Sequence, residues 1–266
     1  MKIAVIGCGV IGSALARHLA KNHNVILCDH DSKKSAQLAK EIGGEAQHRL
    51  NDAAQDADII ILAVKPKDLA SAAKAMSSTL TEDQILISVL AGTPTTHLRK
   101  HFPMVQIVRI MPNLAMTQGQ GVIGMVDDGH LSPETKKSTE SLLTGLGLLS
   151  WLPESKVEAL TALTASGPAF IFVVIESMVE GGIAMGFTAE ESREFVLKMI
   201  EGVLALLKST GKHPAELKWQ IASPGGTTIA GIQELEAQGV RSGLIHSLLA
   251  SYTRALSIIN DLEKHR

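Results

Sequence analysis

The chain has 266 residues, of which 45% are hydrophobic and 20% are charged, and its formal net charge is −2. This length is large for one domain and comfortable for two. Because there is no basic surplus and aromatic residues make up only 3% of the chain, we expect no nucleic-acid partner. The two cysteines lack a zinc-type spacing, so we expect reduced thiols and no metal site.

The first half of the chain alternates short apolar runs with segments of helical periodicity. Residues 59–64 are apolar throughout, which suits a strand buried on both faces of a parallel sheet. This alternation predicts an α/β domain with a doubly wound, mainly parallel sheet over residues 1–153. Strands are predicted at residues 2–6, 24–28, 58–64, 84–88, 106–110, 121–125 and 151–153, and helices at residues 13–21, 32–42, 66–77, 94–101 and 132–146.

From residue 154 onward the pattern is helical only, so residues 154–266 are predicted to be an all-α domain. Its first predicted helix is interrupted at Pro168 and has little polar face, and a helix that is apolar all round must be buried on all sides. The other helices are too few to surround it, so we expect an intertwined homodimer. The predicted helices span residues 155–182, 189–209, 214–222, 227–238 and 242–264.

The membrane and export signals of the chain are weak. The most apolar run, residues 169–175, stops at Glu176 and is too short to span a bilayer. The N-terminal residues begin directly with a strand pattern rather than with a signal peptide. We therefore expect a soluble cytoplasmic protein with no membrane partner.

The first strand is followed by Gly7, Gly9 and Gly12, in the spacing Gly-x-Gly-x-x-Gly, and helical periodicity begins there. In dinucleotide-binding Rossmann folds these glycines make the tight turn, admit the pyrophosphate and let the helix pack on the strand. The second strand leads to Asp29, about 20 residues past the loop, where such folds contact the ribose. This pattern predicts a Rossmann domain that binds NAD(P). The alternative is a glycine-rich turn in another α/β protein.

Asp29 bears on the choice of cofactor. A carboxylate at this position accepts hydrogen bonds from the ribose 2′-OH and repels a 2′-phosphate, which favours NADH. Ser32, Lys33 and Lys34 follow closely and could meet a phosphate if Asp29 turned away. We expect NADH or NADPH as the cofactor, with NADH favoured.

Three further strand tips carry small or helix-breaking residues, at residues 63–66, 88–92 and 109–113. Ligands of doubly wound sheets bind beyond the carboxyl ends of the strands, so these tips are candidates for lining the nicotinamide and its substrate. Ordinary βα turns are the alternative. Lys65 and Arg109 could be solvated cations, but Arg109 lies in an apolar run, which favours a buried partner or an anion.

The segment from Ser223 to Thr228 reads Ser-Pro-Gly-Gly-Thr-Thr, a composition that a packed helical core does not use. It exposes backbone amides and hydroxyls at the start of a helix, where the dipole favours an anion. The alternative is an ordinary turn between helices with a threonine cap. Upstream, Glu176 and Glu180 share one helix face, either as a solvated stripe or at a cleft edge where they would meet a substrate amine.

Taken in order, these segments resemble the pyrroline-5-carboxylate reductase family, whose members catalyse the last step of proline biosynthesis. The resemblance covers essentially the whole chain, and the segment from Ser223 to Thr228 is its most specific part. It rests on Gly-x-Gly-x-x-Gly, Ala-Val-Lys-Pro, Arg-x-Met-Pro-Asn, Ser-Gly-Pro-Ala-Phe, Glu-Gly-Gly and Ser-Pro-Gly-Gly-Thr-Thr-Ile-Ala-Gly.

The resemblance implies a Rossmann domain followed by an all-α dimerisation domain, with dimers that often assemble into decamers. It also implies NAD(P)H-dependent reduction of 1-pyrroline-5-carboxylate to L-proline, with substrate groups from both subunits. The expected substrate-binding residues are Ser223, Gly225, Gly226, Thr227 and Thr228, and the expected catalytic residues are Thr228, Lys65 and Glu176. The expected cofactor-binding residues are Gly7, Gly9, Val10, Ile11, Gly12, Asp29, Ala63, Val64, Lys65, Pro66, Ala91, Gly92, Met111, Pro112 and Asn113.

One departure from the family and two rival functions stay open. Many members carry a polar residue and an arginine after the second strand, suited to NADPH, where this chain has Asp29 and His30. A β-hydroxyacid or 6-phosphogluconate-type dehydrogenase would need a lysine base on the first helix after the Rossmann domain. Residues 159–178 contain no lysine, and Lys156 lies at the start of that stretch. A noncatalytic NAD(H)-binding sensor would be indicated by a degraded substrate segment, which here is intact.

Overall fold

The computed structural model describes residues 1–264. They form two compact units, one of Met1–Ala165 with the chain end from Tyr252, the other of Ser166–Ser251. The predicted boundary near residue 153 marks the end of the last strand. The residues that follow stay with the first unit because Val157 and Leu160 pack against the sheet.

The described residues contain one eight-stranded sheet with the order β3-β2-β1-β4-β5-β6-β7-β8. Every neighbouring pair is parallel except β6 and β7, which are antiparallel. The doubly wound, mainly parallel sheet expected from the sequence is confirmed. The strands are β1 (Lys2–Ile6), β2 (Asn24–Cys28), β3 (Glu45–Ala46), β4 (Ile59–Leu62), β5 (Ile85–Ser88), β6 (Gln106–Pro112), β7 (Gly121–Val126) and β8 (Gly147–Leu152).

Helices cover both faces of this sheet, and helices alone make up the second unit. Those of the first half are α1 (Val10–Leu19), α2 (Ser32–Ile42), α3 (Leu50–Ala54), α4 (Leu69–Met76), α5 (Thr95–His101) and α6 (Pro133–Leu143). After β8 follow α7 (Val157–Leu160), α8 (Gly167–Ala184), α9 (Ala189–Thr210), α10 (Pro214–Ile221), α11 (Thr227–Ala237) and α12 (Val240–Lys264).

The hydrophobic core lies in two layers, one on each side of the sheet. Alternate residues of a strand point to opposite faces, so Val5 joins one layer and Ile6 the other. The layer with Val5 contains Leu15, Leu38 and Leu142 of α1, α2 and α6. The layer with Ile6 contains Ala53, Ala73 and Leu98 of α3, α4 and α5.

Side-chain caps fix the start of several helices. Asp31 accepts a hydrogen bond from the Lys33 amide at the start of α2, and Ser132 accepts one from the Thr135 amide at α6. The capping box expected at Thr188 is present at α9. Such caps satisfy backbone amides that otherwise lack a partner within the helix.

The structure corrects the sequence-based elements at β3, at α3 and between α6 and β8. β3 and α3 were not predicted, because a strand of two residues and a helix of five are too short for periodicity to show. The predicted helix over residues 132–146 ends at Leu143 and the strand expected at 151–153 begins at Gly147. Gly145 and Gly147 have φ values of 91° and 137°, which stop the helix and admit the close β7–β8 approach.

The single helix expected over residues 155–182 is interrupted, and the interruption predicted at Pro168 is confirmed. A 3₁₀ turn at Glu154–Lys156 leads into α7, a π-helical segment at Thr161–Ser166 follows, and α8 begins with Gly167 and Pro168. Proline is tolerated there because the first amides of a helix have no partner within it.

The helical stretch Glu154–Ala184 extends well beyond the apolar run at residues 169–175. By length and composition it could cross a membrane, with a mean hydropathy of 1.7 and only 11% of the apolar window buried. The expectation from the sequence concerned the run at residues 169–175, which is shorter than a bilayer requires, and the absence of a membrane partner stays a prediction. Ile171, Phe172 and Val173 are all more than half exposed, and a patch of this kind marks a contact with another molecule.

Candidate active site

The glycine loop between β1 and α1 has the close packing that its spacing predicts. Gly7 has φ 102°, and a Cβ there would lie 2.5 Å from the Ala63 carbonyl oxygen. A Cβ on Gly12 would lie 1.9 Å from the Gly7 carbonyl oxygen. At Gly9, apart from its two chain neighbours, no heavy atom of the described residues comes within 4 Å of that position. The outer two glycines are thus required by the fold, while Gly9 leaves open space for a ligand.

The start of α1 offers backbone amides to an anion. Gly9 is the N-cap residue and, within the described part of the chain, supplies no side-chain cap, and the next residue, Val10, is 69% exposed. A helix start of this kind binds phosphate through its amides and its dipole. A cavity of about 630 Å³ adjoins the loop, and the cations Arg17 and Lys34 are part of its lining. These features fit the pyrophosphate of a dinucleotide.

Asp29 is held in place at the tip of β2. Its Oδ2 accepts the Cys8 amide at 2.6 Å, its Oδ1 accepts the Asp31 amide at 2.9 Å, and the His30 Nδ1 lies 2.9 Å from Oδ1. Only 7% of the Asp29 side chain is exposed. The carboxylate therefore does not point away from the glycine loop. Lys33 is exposed nearby.

Cys8 and Cys28 are buried free thiols beside Asp29. Burial, and then the charge of Asp29 and the Cys28 thiol, raise the pKa of Cys8 to about 12. Burial and Asp29 also raise the pKa of Cys28. Both thiols are thus neutral at physiological pH and add no negative charge to the loop.

The predicted strand tips lie along one edge of the sheet. β1, β4, β5 and β6 are parallel neighbours, so their carboxyl ends meet at that edge. Ala63 contacts the glycine loop directly, as the distances at Gly7 and Gly12 show. Gly92 after β5 has φ 66°, a turn conformation that glycine favours. Lys65 is exposed at the tip of β4.

Met111 and Asn113, at the end of β6, are not free at this edge. Met111 is 6% exposed and packs in the core. Asn113 is 7% exposed. Its Oδ1 accepts the Val122 amide at 3.0 Å and its Nδ2 donates to the Thr164 carbonyl at 2.8 Å. The side chains of both residues are thus engaged inside the first unit.

Arg109 has the buried partner that its apolar surroundings predict. It is fully buried, pairs with Glu154 and donates from Nη2 to Glu158 Oε1 at 3.0 Å. Thr95 donates to the second Glu154 oxygen through its amide and its hydroxyl, at 3.0 and 2.6 Å. Sequence reasoning missed both glutamates. The available signal was Glu158, a charged residue at the entry to an apolar helix.

In the second unit, the segment before α11 is a turn that leads into an uncapped helix. The Gly226 amide donates to the Ser223 carbonyl at 3.1 Å, and Gly225 has φ 67°. Gly226 is the N-cap of α11 and supplies no side-chain cap within the described residues. The predicted helix start at Thr227 is confirmed, whereas the alternative of a threonine cap is not what forms. Thr228 is half-buried there.

Glu176 and Glu180 lie on α8 and both are exposed. Their spacing of four residues places them on one face of that helix.

Among the described residues, no group of three or more histidine, cysteine, aspartate or glutamate side chains could hold a metal ion.

Comparison with known proteins gives a consistent picture over the whole chain. Residues 154–258 match the family described as pyrroline-5-carboxylate reductase dimerisation, and residues 2–92 match NADP oxidoreductase, coenzyme F420-dependent. Pyrroline-5-carboxylate reductase of Methanosarcina acetivorans is 32% identical over 260 residues, which cover 96% of each chain.

Two solved structures resemble the fold closely. The 1-pyrroline-5-carboxylate reductase of Streptococcus pyogenes has a TM-score of 0.88 at 27% identity, covering 97% of this chain and 98% of its own. The pyrroline carboxylate reductase of Plasmodium falciparum, solved with NADP bound, has a TM-score of 0.87 at 25% identity, with the same coverage.

The parallel sheet with its open glycine loop defines a nicotinamide-nucleotide-dependent oxidoreductase of the Rossmann class. Similarity along the full length then narrows the class. The chain belongs to the pyrroline-5-carboxylate reductase family. The family expected from the sequence is confirmed, and the C-terminal half is a domain through which the chain forms homo-oligomers.

The two roles of the loop glycines are separable by substitution. Gly12→Ala places a methyl group against the Gly7 carbonyl, so we expect the free energy of unfolding to fall by roughly 1–3 kcal/mol. Gly9→Ala meets open space in the protein, so stability should hold while the methyl group blocks approach of the pyrophosphate. Thermal unfolding and titration of NADH fluorescence measure the two effects. NADH binding by Gly9→Ala at wild-type affinity contradicts the assignment.

Proposed function

We propose that this protein reduces 1-pyrroline-5-carboxylate to L-proline with a nicotinamide cofactor. The observation that carries the proposal is the start of α11, where a glycine N-cap and a serine–proline–glycine turn leave the helix without a side-chain cap. A helix start of this kind suits the carboxylate of a small anionic substrate. The relatives with which the chain aligns over most of its length are named for this activity.

The substrate carboxylate would be bound at the turn and first residues of α11. Ser223 and Thr227 offer hydroxyls, and Gly225 and Gly226 let the backbone come close to the anion. Ser223 and Thr227 are exposed, so both are open to a ligand. Thr228, one residue further into the helix, would place its hydroxyl at the imine nitrogen.

The cofactor would be held along the edge of the sheet in the first unit. When bound, it supplies the hydride that the imine carbon accepts. Open space at Gly9 and the exposed position of Val10 support the pyrophosphate contact. The proposed contacts are Gly7, Gly9, Val10, Ile11, Gly12, Asp29, Ala63, Val64, Lys65, Pro66, Ala91 and Gly92.

Imine reduction makes modest demands on protein side chains. The substrate nitrogen is basic and binds a proton readily, so the carbon next to it is already activated as a hydride acceptor. The protein then has to orient the two reactants, anchor the carboxylate and hydrogen-bond the nitrogen. Thr228 serves the nitrogen in this proposal. Glu176 would meet the positive charge of the protonated imine, and Lys65 would lie at the cofactor end.

NADH is the cofactor that we propose the protein prefers. The support is Asp29, whose carboxylate is held by the amides of Cys8 and Asp31. A carboxylate fixed at this position accepts a ribose hydroxyl and repels a 2′-phosphate. The Plasmodium falciparum structure contains NADP, so this preference would distinguish the present chain from that relative.

We further propose that the homo-oligomer is built from intertwined dimers, which assemble into decamers as in other members of the family. The exposed apolar residues of α8 and α9, among them Phe172 and Phe195, support a subunit interface as their cover. The two free buried cysteines support a reducing cytoplasmic location.

Steady-state kinetics test the reaction and the cofactor together. We expect consumption of NADH only when 1-pyrroline-5-carboxylate is present. The kcat/KM for NADH should exceed that for NADPH about tenfold or more, which corresponds to about 1.4 kcal/mol in activation free energy. Asp29→Asn removes the charge, so it should bring the two values together; its Nδ2 group also replaces one of the two oxygens that accept the Cys8 and Asp31 amides. NADH binding without substrate-dependent turnover would instead identify a noncatalytic NAD(H) sensor.

Thr228→Ala tests the residue proposed to meet the nitrogen. We expect kcat/KM for 1-pyrroline-5-carboxylate to fall roughly tenfold or more, the scale of one hydrogen bond to a charged group. Thr228→Ser keeps the hydroxyl and is the matched control, with near-normal kinetics. If Thr228→Ala and the wild type have the same kinetics, Thr228 has no part in the reaction.

The dimer is tested by the mass of the protein in solution. Analytical ultracentrifugation at micromolar concentration should give a dimer or a multiple of it, because the exposed apolar faces of the helical unit are buried only by association. A monomer under these conditions contradicts the intertwined dimer.

A further inference from the structure

We propose that Glu154 is a positioning residue for the cofactor, because it fixes the loop between β5 and α5 that carries Ala91 and Gly92. Its Oε2 accepts the Thr95 amide at 3.0 Å and the Thr95 hydroxyl at 2.6 Å, at the first residue of α5. The effect expected on the cofactor rests on the reductase function proposed above, whereas the hydrogen bonds do not depend on it. All of these residues lie in the first unit.

The start of α5 depends on an acceptor from outside the helix. The first amides of a helix have no partner within it, and Pro94, the N-cap residue of α5, supplies no side-chain cap. Glu154 lies 59 residues further along the chain and supplies an acceptor to Thr95, which is 3% exposed. A buried amide without a partner would cost free energy comparable to a lost hydrogen bond. Glu154 therefore stabilises both the helix start and the end of the loop before it.

The loop between β5 and α5 is attached at both ends and open in the middle. Leu90, near its start, is buried in the core, and Thr93, near its end, is also buried. Between them Ala91 is exposed and Gly92 is half-buried, and their backbone amides have no hydrogen-bond partner among the described residues. The direction of these two amides is therefore set by the ends of the loop, and the contact of Thr95 with the glutamate fixes the later end.

The way in which Arg109 divides its contacts supports a second role for Glu154. A guanidinium commonly binds one carboxylate through two parallel hydrogen bonds. Here one Nη group pairs with Glu154 and the other donates to Glu158 at 3.0 Å, while Nε has no partner among the described residues. The pairing uses only Oε1 of Glu154, which leaves its Oε2 to accept Thr95.

The charge of Arg109 does not by itself require Glu154. One carboxylate balances one guanidinium, and Glu158 is the more buried of the two, with 8% of its side chain exposed against 29% for Glu154. A second carboxylate at a buried cation adds a surplus negative charge, which is unfavourable without further donors. The Thr95 amide and hydroxyl are such donors. The contact with α5 thus explains why a second glutamate is present.

Glu154 is itself held by the sheet. It begins the 3₁₀ turn that follows β8. Leu152, the last residue of β8, accepts the Asp127 amide at 3.0 Å, and Val157, just after the turn, is buried in the core with residues of β6 and β7. The Glu154 carboxylate therefore connects two parts of the first unit that are far apart in sequence, the end of β8 and the loop after β5.

A purely structural ion pair and a positioning role predict different results. If Glu154 only neutralises Arg109, its removal and the removal of Glu158 should have the same effect on cofactor binding. If Glu154 positions the loop, only its own removal should weaken binding, and only at the nicotinamide end of the cofactor. ADP-ribose separates the two ends, because it contains the pyrophosphate and lacks the nicotinamide.

The experiment compares Glu154→Ala with its matched control Glu158→Ala in the full-length protein. We measure the dissociation constants of NADH and ADP-ribose without substrate, together with the thermal unfolding midpoint. In Glu154→Ala we expect NADH to bind about fivefold or more weakly, the scale of lost hydrogen bonds to a charged group, while the affinity for ADP-ribose stays within about twofold. In Glu158→Ala both affinities should stay within about twofold, although the unfolding midpoint falls because Arg109 loses a buried partner.

Two results would overturn the proposal. One is an equal change of NADH affinity in Glu154→Ala and Glu158→Ala, and the other is an equal weakening of NADH and ADP-ribose in Glu154→Ala. Both quantities are binding constants measured without substrate. A protein that binds NADH but does not reduce 1-pyrroline-5-carboxylate would therefore contradict the proposed reaction and leave this test in place.

The residue at the other end of the contact keeps the test decisive if Glu154→Ala does not fold. Thr95→Val removes the hydroxyl and keeps a side chain of similar shape, so NADH should bind about threefold more weakly, the scale of one hydrogen bond. Thr95→Ser keeps the hydroxyl and should match the wild type. Wild-type affinity for NADH in Thr95→Val overturns the proposal.

Discussion

The buried charge of Arg109 constrains the way in which the chain leaves the sheet. A guanidinium without solvent is unfavourable unless anions and acceptors surround it. Its two acidic partners lie beyond the last strand, at Glu154 and Glu158. Their pairing explains why residues 154–165 pack with the sheet unit although they are already helical. β6 thus combines two tasks, since it contributes to the core and also attaches the segment that leads into α8.

Two helices of the described chain, α1 and α11, have a glycine as their N-cap residue. Other helices, among them α3, α4 and α5, also lack a side-chain cap from their own N-cap residue, so it is the glycine that sets these two starts apart. α2, α6 and α9 begin with Asp31, Ser132 and Thr188, whose side chains accept backbone amides. α1 and α11 begin instead at a glycine, and neither has a side-chain cap. A cap satisfies amides that would otherwise be available to an anion. The glycine starts leave those amides available, one in the dinucleotide unit and one in the helical unit, and this matches the two anionic groups of the proposed reactants.

Local patterns were sufficient to predict the features whose causes are local. The sequence predicted three such features: the glycine turn after β1, the position of Asp29 at the tip of β2 and the helix start at Thr227. Each depends on residues that are close in sequence. The partners of Arg109 and Asn113 were not predicted, because Glu158 and Thr164 are far from them in the chain and no sequence periodicity connects them. β3 and α3 were not predicted for a different reason: with two and five residues they are too short to show a strand or helix periodicity.

The hydrogen bonds of Asp29 fix the orientation of its carboxylate at the glycine loop. From the sequence, the nearby lysines could bind a 2′-phosphate if Asp29 turned away. The amides of Cys8 and Asp31 oppose that movement, because a carboxylate that turned outward would leave both amides without their hydrogen-bond acceptor. The neutral thiols of Cys8 and Cys28 add no competing charge there. If NADH is preferred as proposed, discrimination against a 2′-phosphate depends on this one carboxylate, whose position is set by the amide of Cys8 in the glycine loop.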